Sequence, residues 1–477
     1  MAETHVSWVV FIGERAIKVK KPVRTPFLDF STTDLRRKAC EREVRLNRRL
    51  APDVYEGVAT VTGPDGAVCD YLVVMRRMPA ERRLAALATS GEGAVEYHLG
   101  RIADVMSNFH RGAERSAIID RAASAESLTA LWEAGRTEML GFGEFVDPST
   151  VEQAHGLAIR YLDGRHPLLA RRIAEGRVVD GHGDLLADDI FCLDDGPRIL
   201  DCLEFDDHLR YGDVVGDVAF LAMDLEHLGR ADLATLWLER YRRASGDDWP
   251  ASLVDHYIAY RAHVRAKVAC WRAVQGADGA ADEARLLLGQ CLERLRKAAV
   301  RIVLVGGLPG TGKSTLAAAM GAQLGWDVVR SDVVRKQLAG LEPATPASAA
   351  YGQGLYTAGH RAATYDALLD RAAREAGLGR SVILDATWAS DTDRSAARNV
   401  AENTGADLVE LECVTPGPVA WRRLADRSEA GGDPSDATAP VTVAMSDAWQ
   451  PWTSAHRVDS DRPGEVVLVE AIAAVGL

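Results

Sequence analysis

The spacing of hydrophobic and polar positions divides the 477-residue chain into segments of different character. Near the start, two alternating apolar runs, "VSWVVFI" and "RAIKVK", flank Gly13 and Glu14, and this pattern predicts a β-hairpin. From about residue 95 to residue 298 the spacing is mostly helical, with short strands around "VVDGHGDLLADDIFCLDDGPRILDCLEF". After Arg301, buried-type strands alternate with helices, which is typical of a parallel sheet with crossover helices.

These patterns predict two domains, an α+β domain over residues 1–297 and an α/β domain with a parallel sheet over residues 298–477. The formal net charge of −13 argues against nucleic acid as a partner. The seven scattered cysteines form no C-x-x-C pair, and we see no basic apolar leader and no membrane-length apolar run. We therefore expect a cytoplasmic protein that does not enter the membrane.

A phosphate-binding motif gives the strongest chemical signal in the second half. "GGLPGTGKST" fits G-x-x-x-x-G-K-[ST], and it follows the strand "RIVLV" and precedes a helix, as the motif requires. Its glycines let backbone N–H groups face a phosphate, Lys313 would reach the β- and γ-phosphates of ATP, and the Ser314 hydroxyl would bind Mg²⁺. The predicted nucleotide-binding residues are Gly307, Gly310, Thr311, Gly312, Lys313, Ser314 and Thr315.

Charged residues follow later strands of the same half. Asp332 ends "VVRSD", with Arg335 three residues on, and Asp385 ends "SVILD". A carboxylate at the C-terminal end of a parallel strand lies in the ligand crevice of such a sheet. Arg423 and Arg427 are four apart, on one helical face.

Together with the phosphate loop, these residues resemble small P-loop kinases such as gluconate kinase, chloramphenicol phosphotransferase and polynucleotide 5′-kinase, over about residues 300–477. The resemblance implies that Asp332 contacts the acceptor hydroxyl as a base and that Arg335 touches acceptor or phosphate. It also implies that Asp385 supports the metal and that Arg423 and Arg427 are lid arginines over ATP.

The first half also contains the few parts that phosphoryl transfer needs, which are a cation, metal-binding carboxylates and a base. Lys18 and Lys20 lie two apart on a predicted strand, hence on one face, and Glu43 in the following helix could pair with a lysine. "AIK" resembles the kinase V-A-I-K strand, which favours Lys18 as the phosphate lysine, although surface lysines on an edge strand are the alternative.

The segment "HGDLLADDIF" resembles a kinase catalytic loop, with Asp184 as the candidate base. Asp189 stands where kinases have a metal-binding Asn, and it too offers Mg²⁺ an oxygen. "RILDCLEF" places Asp201 where a second metal-binding Asp is expected. Asp217, in "GDVVGDVA", matches a segment of aminoglycoside phosphotransferase-like and choline kinase-like proteins in which this Asp braces the loop.

That resemblance covers about residues 1–295 and implies an α+β protein-kinase-like bilobal domain, followed by the α/β P-loop NTPase domain. The whole chain resembles bacterial fusion proteins that join an aminoglycoside phosphotransferase-like domain to a P-loop kinase-like ATPase domain. We therefore expect an ATP- and Mg²⁺-dependent phosphotransferase with two nucleotide sites, acting on hydroxyl groups of small molecules.

The acceptor and the number of active sites stay open at this point. Arg261, Arg265 and Arg272 border the apolar face of one predicted helix, where they either line a cleft for an anionic acceptor or form ion pairs with a neighbouring helix. In one alternative only the P-loop half turns over and the first half is a ligand-binding regulatory module. In another the P-loop half phosphorylates nucleic-acid ends, which the acidic balance disfavours. The sequence does not indicate the oligomeric state.

Overall fold

The computed structural model describes residues 2–3, 6–24, 29–90, 94–342, 345, 353–430 and 439–476, and only the backbone of residues 2–3, 427–430 and 439–441. The chain forms two compact units. The first comprises Met1–Gly156, Leu169–Trp249 and Leu253–Leu295, and the second comprises Leu157–Leu168, Pro250–Ser252 and Arg296–Leu477. The single boundary near residue 297 stays a prediction, and two short upstream stretches group with the second unit.

The first unit begins with strands and one helix: β1 (Ala2–Glu3), β2 (Ser7–Ile12), β3 (Arg15–Lys20), α1 (Thr33–Asn47), β4 (Tyr55–Thr62) and β5 (Val68–Arg76). The strands form an antiparallel sheet in the order β1-β2-β3-β5-β4. β2 and β3 pair from Ser7↔Lys20 to Ile12↔Arg15 around Gly13, so the predicted hairpin is confirmed. Cys40 and Val44 of α1 pack against Val73 and Met75 of β5, which fixes the helix on the sheet.

The rest of the first unit is mostly helical. Its elements are α2 (Leu84–Ser90), α3 (Val95–Gly112), α4 (Ala117–Ala122), α5 (Ala125–Leu140), α6 (Pro148–Asp163), α7 (His166–Ala174), β6 (Val178–Asp180), β7 (Ile190–Leu193), β8 (Gly196–Ile199), β9 (Tyr211–Asp213), α8 (Val214–His227), α9 (Ala231–Ser245), α10 (Ala251–Val274) and α11 (Ala280–Ala298). α6, α7, α10 and α11 each contribute residues to both units. Two small antiparallel pairs, β6 with β9 and β7 with β8, support the loop "HGDLLADDIF".

The second unit contains β10 (Arg301–Gly306), α12 (Lys313–Leu324), β11 (Asp327–Arg330), α13 (Ser331–Leu338), α14 (Ala358–Gly377), β12 (Val382–Asp385), α15 (Asp391–Asn403), β13 (Asp407–Val414), α16 (Gly417–Ala430), α17 (Ala439–Asp447), β14 (His456–Asp459) and α18 (Gly464–Ala474). All strand pairs are parallel, in the order β11-β12-β10-β13-β14. The predicted parallel sheet is therefore confirmed. Every residue of the central strand β10 is buried, as expected for a strand covered on both faces.

One strand boundary differs from the sequence prediction. β11 ends at Arg330, which caps α13, so Asp332 lies in the first turn of that helix and not at a strand end. The last residue of β11, Arg330, pairs with Asp385 of β12, and the helix begins at the next residue. A carboxylate in the first helical turn is favoured by the positive end of the helix dipole. Asp385 does end its strand, as predicted.

Two general features complete the fold. The cysteines are free thiols, of which Cys69 is exposed and the other six are buried. Within the described part of the chain, no helix has both the length and the apolar character needed to span a membrane.

A buried histidine in the helical part makes stability depend on pH. His263 is 3% exposed, and neither of its ring nitrogens has a hydrogen-bond partner among the described residues. Its ring packs on Trp132 and against Gly135, where a Cβ would lie 2.4 Å from Nε2. Burial lowers the pKa of His263 to about 4, from 6.5.

Because the unfolded chain takes up a proton on this histidine below about pH 6.5 and the folded chain does not, stability should fall as the pH drops from 6.5 towards 4. At the low end the loss should reach roughly 3 kcal/mol. Urea unfolding at several pH values should show a flatter pH dependence for His263→Leu than for the wild type. The exposed His208→Gln should keep the wild-type slope, and an unchanged slope in His263→Leu would contradict the prediction.

Candidate nucleotide and metal sites

Lys18 is the centre of the candidate site in the first unit. Its Nζ lies 2.6 Å from Asp201 Oδ1 and 2.9 Å from Glu43 Oε1. Burial opposes the charged form of Lys18, but Asp201, Glu43 and Glu204 outweigh burial and raise the pKa of Lys18 well above its usual value. The structure thus brings together three residues that the sequence analysis selected, from β3, from α1 and from the segment after β8.

Lys20 occupies a different environment, although it is on the same face of β3. Its side chain is 0% exposed, its Nζ lies 2.5 Å from Glu43 Oε2, and it also pairs with Glu204. The ring of Phe30 lies 5.2 Å from the same ammonium. Lys18, with its Asp201 partner 41% exposed, is therefore the lysine that can face a phosphate, and Lys20 joins α1 to the segment after Asp201.

Three predicted acidic residues lie close enough to affect one another. Burial raises the pKa of Asp184 to about 6. Nearby arginines oppose this rise, and the negative charge of Asp201 adds to it. Burial, Asp201 and Asp184 raise the pKa of Asp189 well above its usual value. Burial would also raise the pKa of Asp201, but Lys18 outweighs it and the pKa is lowered. The predicted base and the predicted metal ligands are thus neighbours, and crowded carboxylates favour a cation.

The loop that carries Asp184 is held by buried hydrogen bonds. The carboxylate of Asp217 accepts the backbone N–H of His182 at 2.6 Å and that of Gly183 at 2.8 Å. His110 Nε2 lies 3.1 Å from the same carboxylate. Burial lowers the pKa of His182 to about 4, and its Nε2 lies 3.1 Å from the carbonyl oxygen of Leu200. This is the geometry expected of the brace that the resemblance assigns to Asp217.

The sequence analysis missed two supports from the end of α1. Arg49 donates hydrogen bonds to the carbonyl oxygens of Asp180, at 3.2 Å, and Gly181, at 2.8 Å. The Asn47 side-chain oxygen accepts the N–H of Cys202 at 2.8 Å. These contacts hold the two loops of the site together. The stretch "RLNRRLA" does not predict the contacts of Arg49 and Asn47, because basic residues at a helix end usually face solvent.

The three arginines of α10 have three different environments. Arg261 donates to the carbonyl oxygens of Gly216, at 3.1 Å, and Gly183, at 3.2 Å. Arg272 Nη1 lies 2.8 Å from Glu283 Oε2 of α11. Arg272 thus forms an ion pair with a neighbouring helix, one of the two roles expected for these arginines. Arg265 lies near Asp184. Of the charges around Asp184, that of Arg265 most strongly opposes the rise in the pKa of this carboxyl group.

The phosphate loop of the second unit connects β10 to α12 and is shaped by its glycines. Gly307 has a φ of 138° and Gly310 a φ of 83°. A Cβ on Gly307 would lie 2.6 Å from the carbonyl oxygen of Cys413, and one on Gly310 would lie 2.5 Å from that of Ala420. The Thr311 hydroxyl donates to the carbonyl oxygen of Leu308 at 2.8 Å. The helix begins at Lys313, and its N-terminus is suited to bind an anion.

A hydroxyl and a carboxylate that could hold a metal ion lie beside this loop. Asp385 is 3% exposed and hydrogen-bonded to Ser314, and burial raises its pKa while Lys313 and Ser314 oppose the rise. Its Oδ2 lies 3.3 Å from Arg330 Nε, and its buried Oδ1 has no hydrogen-bond partner in the described part of the chain. A hydroxyl and a carboxylate with a free oxygen fit Mg²⁺. No three acidic, His or Cys side chains among the described residues could hold an ion alone, and Mg²⁺ usually relies on substrate phosphates as well.

The other predicted residues of this site are only partly brought together. Asp332 pairs with Arg335 one turn along α13, and the Arg335 guanidinium lies 4.7 Å from the Tyr356 ring. Arg423 donates to the carbonyl oxygen of Ser460 at 2.8 Å, and the Ser460 hydroxyl donates to that of Thr311 at 2.6 Å. Arg423 therefore borders the loop. Thr315 is exposed. The side chain of Arg427 lies outside the described residues.

A parallel five-stranded sheet whose central strand leads through this loop into a helix defines the second unit as a P-loop domain. Residues 302–452 match a family model described as an AAA domain. The whole chain belongs to the family of the uncharacterized protein Rv2004c of Mycobacterium tuberculosis (strain ATCC 25618 / H37Rv), with 43% identity over 464 residues, 97% of this chain and 92% of that protein. The uncharacterized protein Mb2027c of Mycobacterium bovis matches over the same shares at the same identity.

Solved structures are similar to parts of the chain at low identity. The APS kinase CysC of Mycobacterium tuberculosis, in complex with AMPPNP and APS, is 22% identical, with a TM-score of 0.28, over 38% of this chain and 98% of that one. A gluconokinase from Sinorhizobium meliloti 1021 is 17% identical, with a TM-score of 0.26, over 37% of this chain and 91% of that one.

Proposed function

We propose that the chain is an ATP- and Mg²⁺-dependent phosphotransferase that acts on hydroxyl groups of small molecules, with one nucleotide site in each unit. Residues 1–297, which include all of the first unit, would form an aminoglycoside phosphotransferase-like, protein-kinase-like bilobal domain, and residues 298–477 a P-loop kinase-like domain. The observation that carries the two-site proposal is the Lys18–Asp201 pair, at 2.6 Å, beside Asp184 and Asp189. These residues would supply a cation, metal-binding carboxylates and a base, which are the parts that phosphoryl transfer needs.

In the first site each residue would have a distinct task. Lys18 would bind the nucleotide phosphates, and Asp189 and Asp201 would hold Mg²⁺, which neutralises phosphate charge when bound. Asp184 would accept the hydroxyl proton while the acceptor oxygen bonds to the γ-phosphorus and the bond to the β–γ bridging oxygen breaks, releasing ADP. With a pKa of about 6, Asp184 is ionised at neutral pH and can act as the base.

The second site would work by the same in-line transfer. Lys313 and the loop N–H groups would bind the phosphates, and Ser314 with Asp385 would hold Mg²⁺. Asp332 would act as the base towards the second acceptor hydroxyl, and Arg335 would bind acceptor or phosphate. Arg423, with Arg427 one turn further, would cover the nucleotide.

A second candidate function has one observation in its favour. Lys18 donates a hydrogen bond directly to Asp201. The lysine ammonium therefore takes the position at this carboxylate that a bound metal ion would need. In this alternative the first unit binds a ligand and regulates a P-loop kinase or ATPase without transferring phosphate itself.

Counting bound nucleotide tests the proposal of two sites. We expect titration calorimetry with Mg·AMPPNP to give two sites per wild-type chain, and one site in either Lys18→Met or Lys313→Ala, because each variant loses the cation of one phosphate site. Arg457→Ala, which changes an exposed arginine on β14, should still bind two. A Lys18→Met chain that binds as much nucleotide as the wild type would count against a nucleotide site in the first unit.

A further inference from the structure

Helix α10 carries one cation, Arg265, that forms no hydrogen bond or ion pair with any residue the structure describes. Arg261 is held by two backbone carbonyl oxygens next to the Asp184 loop, and its guanidinium lies 4.7 Å from the Phe220 ring. Arg272, about three turns further along, is paired with Glu283. Both therefore stabilise the fold. The arginine between them, Arg265, has neither role.

Arg265 is half-buried, one helical turn after Arg261. Among the described residues it makes no hydrogen bond or ion pair. Its neighbours are acidic: burial raises the pKa of Asp184 and of Asp224, and the charge of Arg265 opposes the rise in both. Asp224 already accepts the N–H of Ala187 at 2.8 Å. A guanidinium carries five N–H donors in a planar fork, and because no described side chain or carbonyl group accepts those of Arg265, they are available to an anionic ligand.

We propose that Arg265 binds an anionic group of the acceptor whose hydroxyl faces Asp184. The acceptor of the first unit is then a hydroxylated carboxylate or phosphate ester, such as a sugar acid or a sugar phosphate. The inference rests on the proposed transferase function of that unit. A guanidinium matches carboxylate and phosphate oxygens in bidentate geometry, which fixes the orientation of the acceptor as well as its charge.

The same placement disfavours a cationic acceptor. The amino groups of an aminoglycoside would approach two guanidinium groups, those of Arg261 and Arg265, in a partly buried site where charges are weakly screened. An anion there would pair with the guanidinium of Arg265.

Binding of a simple anion tests the inference without requiring turnover. With both nucleotide sites saturated by Mg·AMPPNP, sulfate should raise the thermal midpoint of the wild type and of Arg272→Met, which is the matched control on the same helix. In Arg265→Met the thermal midpoint should rise less with sulfate, because the sulfate site at Arg265 in the first unit is lost. An equal response to sulfate in Arg265→Met and Arg272→Met would overturn the proposal. A loss of AMPPNP binding in Arg265→Met would also overturn it, because the arginine would then serve the nucleotide.

Product formation then distinguishes the possible acceptors. Lys313→Ala isolates the first site, and gluconate, glucose 6-phosphate, glucose and kanamycin are offered with labelled ATP. We expect transfer to gluconate or to glucose 6-phosphate, which separates the carboxylate from the phosphate. Arg265→Met should raise the KM for that acceptor about tenfold or more and leave the KM for ATP unchanged. Transfer to kanamycin or glucose, with the same KM whether Arg265 is kept or replaced by methionine, would refute the proposal that the acceptor is an anion. If no compound is phosphorylated, the proposed transferase function fails for this panel, and the sulfate experiment still decides whether Arg265 binds an anion.

Discussion

Replacing Asp184 with asparagine is expected to lower acceptor phosphorylation in the first site by roughly 10²–10⁴-fold, the usual contribution of a general base. Asparagine has the same shape but cannot take the hydroxyl proton, and the loop around it is held by Asp217 and Arg261, which the change leaves in place. Nucleotide binding should therefore persist. The measurement is labelled-phosphate transfer in a Lys313→Ala background, beside Mg·AMPPNP titration of the same protein.

The pH profile provides an independent check on the same residue. Because the pKa of Asp184 is about 6, the wild-type rate should fall as the pH drops below about 6, where the base becomes protonated. The residual activity of Asp184→Asn should not follow that titration. Asp188→Asn changes an exposed neighbouring carboxylate and should keep the wild-type rate. If Asp184→Asn kept full transferase activity while Lys313→Ala, made alone, abolished every activity, the regulatory interpretation of the first unit would be correct.

Replacing Lys20 with methionine is expected to destabilise the first unit by about 3–5 kcal/mol, as when one partner of a buried ion pair is removed. Glu43 and Glu204, both buried, would keep their charges without the ammonium that lies between them. Lys18→Met should cost less stability, because its partner Asp201 is partly exposed, and it should mainly weaken nucleotide binding. Urea unfolding of both variants, with and without Mg·AMPPNP, separates the two effects.

Two controls show whether the loss comes from the unpaired charge. Lys38→Met removes an exposed ion pair with Asp34 and should leave the free energy of unfolding close to that of the wild type. Lys20→Met combined with Glu204→Gln should recover part of the loss, since Glu43 still has Lys18 at 2.9 Å and the carboxylate that loses its cation, Glu204, is then neutral. A Lys20→Met protein as stable as the Lys38→Met protein would show that the buried ion pairs contribute little.

Much of the fold could be predicted where the sequence signal is local. The hairpin around Gly13 and the strands ending at Gly306 and Asp385 follow from the period of apolar residues and from glycine position. β14 was not predicted, because its pattern has a single buried residue, Val458. Asp332 was assigned to a strand end because it closely follows the apolar residues of β11, and α13 begins directly after that strand.

The candidate site was predictable to the extent that its residues sit in motifs. Periodicity puts Lys18 and Lys20 on one face, but only the fold shows that Glu204, 184 residues further on, meets Lys20. The α10 arginines looked equivalent by helical angle, yet their partners come from separate segments, such as Glu283 for Arg272 and the Gly183 carbonyl for Arg261. Contacts between segments far apart in sequence leave no periodic signal.

The glycines of the phosphate loop have a consequence for how such chains diverge. Gly307 is confined by the carbonyl oxygen of Cys413 and Gly310 by that of Ala420, so a methyl group at either position would collide with backbone. Selection for folding alone would therefore keep these two glycines, even in a descendant that no longer bound nucleotide. In this lineage the loss of the phosphate site would first be visible at Lys313, Ser314 and Asp385, while the glycine spacing would outlast the activity.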